Sequence, residues 1–126
     1  MKNSIKLFLV ILLGVGITMA TACKKEIEMP AVTTAEITSI TSNSAVGGGD
    51  VTSDGNADIT ARGICYDRNN VSPTIENSKT TDGNSTGSFT SNISGLLPNT
   101  VYHVRAYVTN ELGTSYGEAK EFTTGM

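Results

Sequence analysis

The sequence predicts an all-β chain folded as a sandwich of seven short strands, and three observations carry that expectation. From Thr33 onward no apolar stripe recurs at the 3.6-residue spacing of a helix. Thr, Val, Ile and Tyr, which suit a pleated and half-buried surface, are frequent there. Clusters of Gly, Asn, Asp and Ser return about every 8 to 15 residues, as a sandwich of short strands requires.

The elements begin after a processing segment. Residues 1–22 have a positive end at Lys2 and Lys6, an apolar stretch from Leu7 to Met19 and small residues before a cut. The stretch holds about 13 residues and is interrupted by Gly14 and Gly16, whereas a membrane-spanning helix needs roughly 20. A cleaved signal is therefore expected. Ala20-Thr21-Ala22-Cys23 resembles the lipobox of bacterial lipoproteins. The resemblance implies that Cys23 becomes the first mature residue and carries diacylglycerol on sulfur and a further acyl chain on its amine. At about 0.8 kcal/mol per buried methylene, several chains hold a protein on a membrane stably where one does not. It also implies the envelope of a Gram-negative bacterium, with the outer membrane favoured because Lys24, not Asp, follows the cysteine. Residues 23–32 have alternating charges, Pro30 and no periodic apolar face, so they are expected to form a lipidated, flexible tether.

A single domain is expected over residues 33–124. Its strands are placed at about Thr34–Thr41, Ala45–Thr52, Ile59–Asp67, Ser78–Thr81, Gly87–Ile93, Val101–Asn110 and Ser115–Thr123. Turn chemistry separates them at Ser53-Asp54-Gly55-Asn56, Asp67-Arg68-Asn69-Asn70, Asp82-Gly83-Asn84, Leu97-Pro98-Asn99 and Leu112-Gly113. In the sixth strand, alternation puts Tyr102, Val104, Ala106 and Val108 on the core face. It puts His103, Arg105, Tyr107 and Thr109 on the outer face.

The stretch Ser94-Gly95-Leu96-Leu97-Pro98-Asn99-Thr100-Val101-Tyr102 resembles the signature of fibronectin type III domains, which are immunoglobulin-like sandwiches. Arg62-Gly63-Ile64-Cys65-Tyr66 is similar to that family's strand C, and Glu121-Phe122-Thr123-Thr124 to its closing strand. The resemblance implies a tyrosine corner made by Leu96, Pro98 and Tyr102. The family's core Trp on strand B is replaced here by Ala45-Val46-Gly47-Gly48-Gly49, and the chain has no Trp. A different core is implied, refilled by Tyr66, Phe89 and Phe122, with the glycines marking a bulge or a close backbone approach.

Composition limits function. Without Lys2 and Lys6 the mature chain has seven basic and twelve acidic residues, a net charge of −5, and no basic stripe to neutralise phosphates. Nucleic acid is thus excluded as a partner. Cys65 is the one cysteine left after Cys23 is lipidated, so no intramolecular disulfide forms. With one Cys and one His, zinc is not expected, and Cys65 reads as a half-buried strand residue. His103 matches no nucleophile or carboxylate orienter by motif. Asp54-Gly55-Asn56-Ala57-Asp58 begins like a calcium loop but has Ile59 where Gly is needed and Cys65 where a bidentate Glu is needed, so a hairpin connection is favoured. No cofactor and no enzyme activity are expected.

The expected function is that of a membrane-anchored, non-catalytic binding or structural module of the cell envelope. Its partners would be the membrane, through lipid on Cys23, and an unidentified protein or glycan. A candidate partner-binding face consists of Arg62, Arg105 and Tyr107, joined by Cys65 if that residue shares their side of the sheet, since Arg and aromatics are enriched at contacts. One alternative is capture of a glycan or adhesion ligand through aromatics such as Tyr107 and Tyr116. Another is that the chain is the anchor and first module of a truncated larger hydrolase.

Overall fold

The computed structural model describes residues 26–126, and the chain folds into two antiparallel sheets. The strands are β1 (Ala31–Thr34), β2 (Ser44–Ser53), β3 (Ala61–Asp67), β4 (Ser78–Lys79), β5 (Gly87–Ser94), β6 (Val101–Asn110), β7 (Gly113–Tyr116) and β8 (Lys120–Thr123). One sheet has the order β1-β2-β5. The other has the order β4-β3-β6-β7, with β8 also paired to β6. This is an all-β sandwich with the arrangement of a fibronectin type III-like domain.

Period-2 alternation generates the core. In β5 the inward residues Phe89, Ser91 and Ile93 are buried while their neighbours are exposed. In β6 the inward set is Tyr102, Val104, Ala106 and Val108, and all four join the core cluster with Val51, Ile64, Leu96 and Phe122. The Tyr102 and Phe122 rings stack with centroids 5.6 Å apart, and Tyr66 packs against the same cluster. Phe89 and Phe122 belong to the cluster as well, so all three aromatics expected to build a Trp-free core take part in it.

The glycines of β2 mark a close approach, since pairing with β5 continues through them without a register shift. A Cβ on Gly47 would meet Ile64 Cδ1 at 3.0 Å. On Gly49 it would lie 2.6 Å from the Thr33 carbonyl oxygen and 2.8 Å from Ala106 Cβ. On Gly48 it would overlap the Phe89 carbonyl oxygen. The bulge in this sheet lies instead at the β1 to β2 pairing, between Ala31 and Val32.

Both ends of the strand map differ from expectation. The first strand begins at Ala31 and ends at Thr34, and beyond it the chain keeps to β2 through single bonds such as Ala35 N–H to the Gly48 carbonyl and an isolated bridge from Thr38 to Val46. The final strand is split, because β7 and β8 leave a gap over 117–119. One contact set explains both breaks. Thr34 Oγ1 crosses the sandwich to accept the Ala106 N–H at 3.0 Å, a donor that neither β7 nor β8 reaches. Glu118 Oε1 accepts the Thr34 N–H at 3.0 Å. A Cβ on Gly117 would come within 2.5 Å of Thr34 Oγ1, so glycine is needed where the strand steps aside. The segment 54–60 also differs from the expected hairpin. It carries the chain from one sheet to the other, with Asp54 Oδ1 accepting the Asn56 N–H at 2.8 Å to form the turn.

At the β5–β6 corner the Tyr102 hydroxyl accepts the Leu97 N–H at 2.8 Å. Thr124 Oγ1 donates to the Leu97 carbonyl at 2.6 Å and accepts the Thr100 N–H at 2.9 Å, which fastens the C-terminal strand to the same corner.

Two stability outcomes follow. Gly49→Ala should cost about 1–3 kcal/mol because its methyl group has no room. Gly125→Ala, whose nearest neighbour would be 3.6 Å away, should change stability by less than about 0.5 kcal/mol. Urea unfolding midpoints measure the difference, and equal midpoints would remove the close approach as a constraint. Tyr102→Phe should cost about 1 kcal/mol through one lost hydrogen bond. Tyr102→Ala should cost ~3 kcal/mol or more through the cavity, by the same measurement.

Candidate functional site

The outer face of the four-stranded sheet is built from β3 and β6, whose register sets Gly63 opposite Tyr107 and Cys65 opposite Arg105. Residues directly opposite in an antiparallel pair share a face. Tyr107 and Arg105 therefore stand together beside Cys65. Arg62 does not join them. It pairs with Val108 and lies on the core side of the sheet, with its guanidinium carbon 5.0 Å from the Phe89 ring centroid. Its Nε donates to the Asp82 carbonyl at 2.9 Å and its Nη1 to the Ser85 carbonyl at 2.7 Å. The expected three-residue face is corrected on this point, because alternation along β3 sends Arg62 and Cys65 to opposite sides.

The outer face is also covered. The Tyr107 hydroxyl donates to the Thr80 carbonyl at 2.6 Å, and the residue is only 2% exposed. Cys65 is fully buried, not half-buried, and its thiol donates to the Pro73 carbonyl at 3.4 Å. Arg105 donates through Nε to the same Pro73 carbonyl at 2.8 Å and lies 4.1 Å from the Tyr116 ring centroid. The Tyr116 hydroxyl accepts the Ile75 N–H at 3.1 Å. A side chain on Gly63 would collide with the Thr80 carbonyl, so glycine lets the covering strap lie flat. Residues 72–77 thus lie against this face and lead into the edge strand β4 and Thr80, a strap fastened by the side chains that looked available for a partner.

Asp82 ends this strap. Its Oδ2 accepts the hydroxyls of Thr80 and Ser91, each at 2.6 Å, tying the strap to β5 of the other sheet. Sequence reasoning read Asp82 as a turn residue only. The Asp-Gly-Asn pattern carried no sign of a bond to a serine nine positions on.

Two surfaces remain at the poles. At the β5–β6 corner a groove of about 330 Å³ is lined by Tyr66, Asp67, Arg68, Ser94, Leu97 and Tyr102, among others. Burial, with Tyr102 alongside, pushes the Tyr66 phenol above its ordinary range. Asp67 Oδ2 accepts the N–H groups of Asn69 and Asn70, which fixes the rim. The groove can take a polar, partly apolar group by contact and hydrogen bonding. His103 lies across the sheet between Asp67 and Glu121 in register. Among the described residues no cluster of three His, Cys, Asp or Glu side chains is placed to hold a metal ion.

The opposite pole holds the N-terminal segment. Asn110, buried at the C-terminal end of β6, donates through Nδ2 to the carbonyls of Glu28 at 2.8 Å and Asp54 at 3.0 Å. Its Oδ1 accepts the Leu112 N–H at 2.8 Å. The Glu28 N–H donates to the Gly55 carbonyl at 2.8 Å, and Asn56 Nδ2 donates to the Glu26 carbonyl at 3.0 Å. Pro30 and Val32 are buried. The tether expected over residues 23–32 is therefore corrected from Glu26 onward, where the chain is part of the fold. Cys23 and the lipobox-like segment lie outside the described residues.

No protein-family model matches the chain, and a search of curated proteins gave no significant match. Solved structures do resemble it. The sensor domain of the anti-sigma factor RsgI4 from Pseudobacteroides cellulosolvens has 21% identity and a TM-score of 0.56, over 77% of this chain and 76% of that one. A structure described as a myokine has 19% identity and a TM-score of 0.57, over 80% of this chain and 100% of that one. A fibronectin type III domain from the human KIAA0970 protein has 14% identity and a TM-score of 0.50, over 75% of this chain and 72% of that one. These likenesses establish the fold as fibronectin type III-like.

Burial pushes the Cys65 thiol from 9.0 up to about 11, partly offset by the Arg105 charge. Between those values the unfolded chain has released this proton and the folded chain still holds it. The contribution is thus fully present below pH 9, lost as pH rises toward 11, and level above it. Burial raises the Tyr66 and Tyr107 phenols in the same direction. Chemical denaturation in steps through this range should show a shallower decline in Cys65→Ala than in wild type. Parallel curves would contradict the buried thiol.

Proposed function

We propose that this chain is a lipid-anchored, non-catalytic β-sandwich module of the Gram-negative cell envelope, held by acyl chains on Cys23 and placed in the outer membrane. Its role is to bind a protein partner at the membrane surface or to set the spacing of one. The observation that carries the reading is the join between anchor and fold. Cys23 ends the lipobox-like Ala20-Thr21-Ala22-Cys23 and precedes by three residues Glu26, whose carbonyl accepts a hydrogen bond from Asn56.

Likeness to a domain described as a sensor supports a binding role, as does the groove at the far pole, a concave site with both apolar and polar lining. Capture of a glycan through Tyr107 and Tyr116 is less well supported. Tyr107 is buried under the strap, and Tyr116 is stacked against Arg105 with its hydroxyl already bonded.

Expression of the full chain with membrane fractionation and intact-mass measurement tests the anchor. Wild type should be recovered as membrane-bound mature protein with acylated Cys23. Cys23→Ser should give an uncleaved or soluble product, and wild-type amounts of membrane-bound mature protein in that variant would refute the reading.

A further inference from the structure

We propose that Ile27, Met29 and Leu112 form a foot that rests on the membrane, so that the sandwich stands on the bilayer in one orientation. The occupant of this patch is a phospholipid surface with zwitterionic headgroups. The inference rests on the proposed acylation of Cys23 and adds a second, non-covalent contact to it.

Three observations converge. Ile27, Met29 and Leu112 are 39%, 47% and 53% exposed at the same pole of the sandwich. They are held together, since Ile27 and Met29 flank Glu28, whose N–H bonds Gly55 and whose carbonyl bonds Asn110. Asn110 in turn accepts the Leu112 N–H, and the Met29 thioether lies over Gly113, 3.5 Å from where a Cβ would be. Gly55, at φ 70°, lets this packing close, because a side chain there would strike the Glu28 carbonyl.

Reach supplies the occupant. Only Lys24 and Lys25 separate Cys23 from Glu26, so acyl chains on Cys23 hold the pole within roughly 10 Å of the headgroups, at ~3.3 Å per residue. Apolar side chains on such a segment enter the headgroup–acyl boundary. The carboxylates of Glu26, Glu28, Asp54, Asp58 and Glu111 outnumber the ammonium groups of Lys24 and Lys25 beside the anchor, and this acidic excess favours zwitterionic over anionic lipid. The ten-residue β6 runs from the groove to this pole, so the groove is displaced about 30 Å away from the membrane.

The test uses full-length acylated protein reconstituted in phosphatidylcholine vesicles whose acyl chains carry bromine near the headgroup. An environment-sensitive fluorophore is attached at Leu112→Cys or, in a second protein, at Leu97→Cys beside the groove. Cys65 is buried and Cys23 is acylated, so neither competes for the label. The Leu112→Cys probe should lose roughly half its fluorescence, since a foot residue lies within ~5–10 Å of the quencher, and the Leu97→Cys probe should be unchanged. Adding Ile27→Ser and Met29→Ser to the Leu112→Cys protein should restore most of the signal. If intact mass shows acylated Cys23 and neither probe is quenched, or both are quenched equally, the foot is overturned and the anchor stands. Undiminished quenching in the serine variant also overturns the foot. An unmodified Cys23 overturns the anchor and the foot with it.

Discussion

The sandwich depends on three missing Cβ atoms. Gly47, Gly48 and Gly49 let β2 approach the opposite sheet and the neighbouring strands more closely than side chains would allow. Ile37 and Ile64 close over Gly47, and the Phe89 ring and Ala106 close over Gly49. The same approach brings β1 near β6, so that Thr34 Oγ1 can satisfy the buried Ala106 N–H. An unsatisfied donor in such a place costs about 1–3 kcal/mol, so the crossing bond and the split of the final strand are coupled. Were the glycines filled, β1 would have to lift away, and the reason for Gly117 to step aside would go with it.

Alternation made the centre of the fold legible. A ten-residue strand with apolar residues at every second position allows one register against a core, and Tyr102, Val104, Ala106 and Val108 occupy it. The corner was legible too, because a Leu, a Pro and a Tyr at fixed spacing have a known geometry. Arg62 was less so, since parity along β3 cannot be related to β6 until the strands are paired. The burial of Tyr107 depends on a strap that lies far away in sequence and has no apolar period of its own. The N-terminal segment was misread for a related reason. Glu26 to Pro30 is held by backbone carbonyls bonded to Asn56 and Asn110, and such bonds leave no mark on the hydrophobic pattern.

The strap explains how a small domain without a disulfide keeps a rigid second face. Tyr107, Cys65, Arg105 and Tyr116 would otherwise leave a large aromatic and cationic surface in water. Here two backbone carbonyls, of Pro73 and Thr80, accept the Cys65 thiol, the Arg105 Nε–H and the Tyr107 hydroxyl, and the Arg105 guanidinium stacks on Tyr116. Stacking of this kind contributes about 0.5–2 kcal/mol depending on exposure. Asp82 then links the strap to β5 through Ser91, so the covered face is tied to the other sheet. Residues that in composition resemble an interface have become internal structure.

That internal use leaves function to the poles, and the poles are unlike. One has the N-terminal segment, three exposed apolar side chains and an excess of carboxylates. The other has the groove beside Tyr66, where Leu97 and Val101 are exposed too, and it lacks the tie to the N-terminal segment. A flexible tether of ten residues would let either pole meet the membrane, because its reach of roughly 30 Å is comparable to the length of the domain. Pinning from Glu26 removes that freedom, leaving two residues between the proposed anchor and the fold. Orientation then follows from the hydrogen bonds of Asn110 and Asn56 rather than from the lipid alone. Under the proposed anchoring, these two asparagines turn a statement of location into one of direction, presenting the groove to whatever lies beyond the membrane surface.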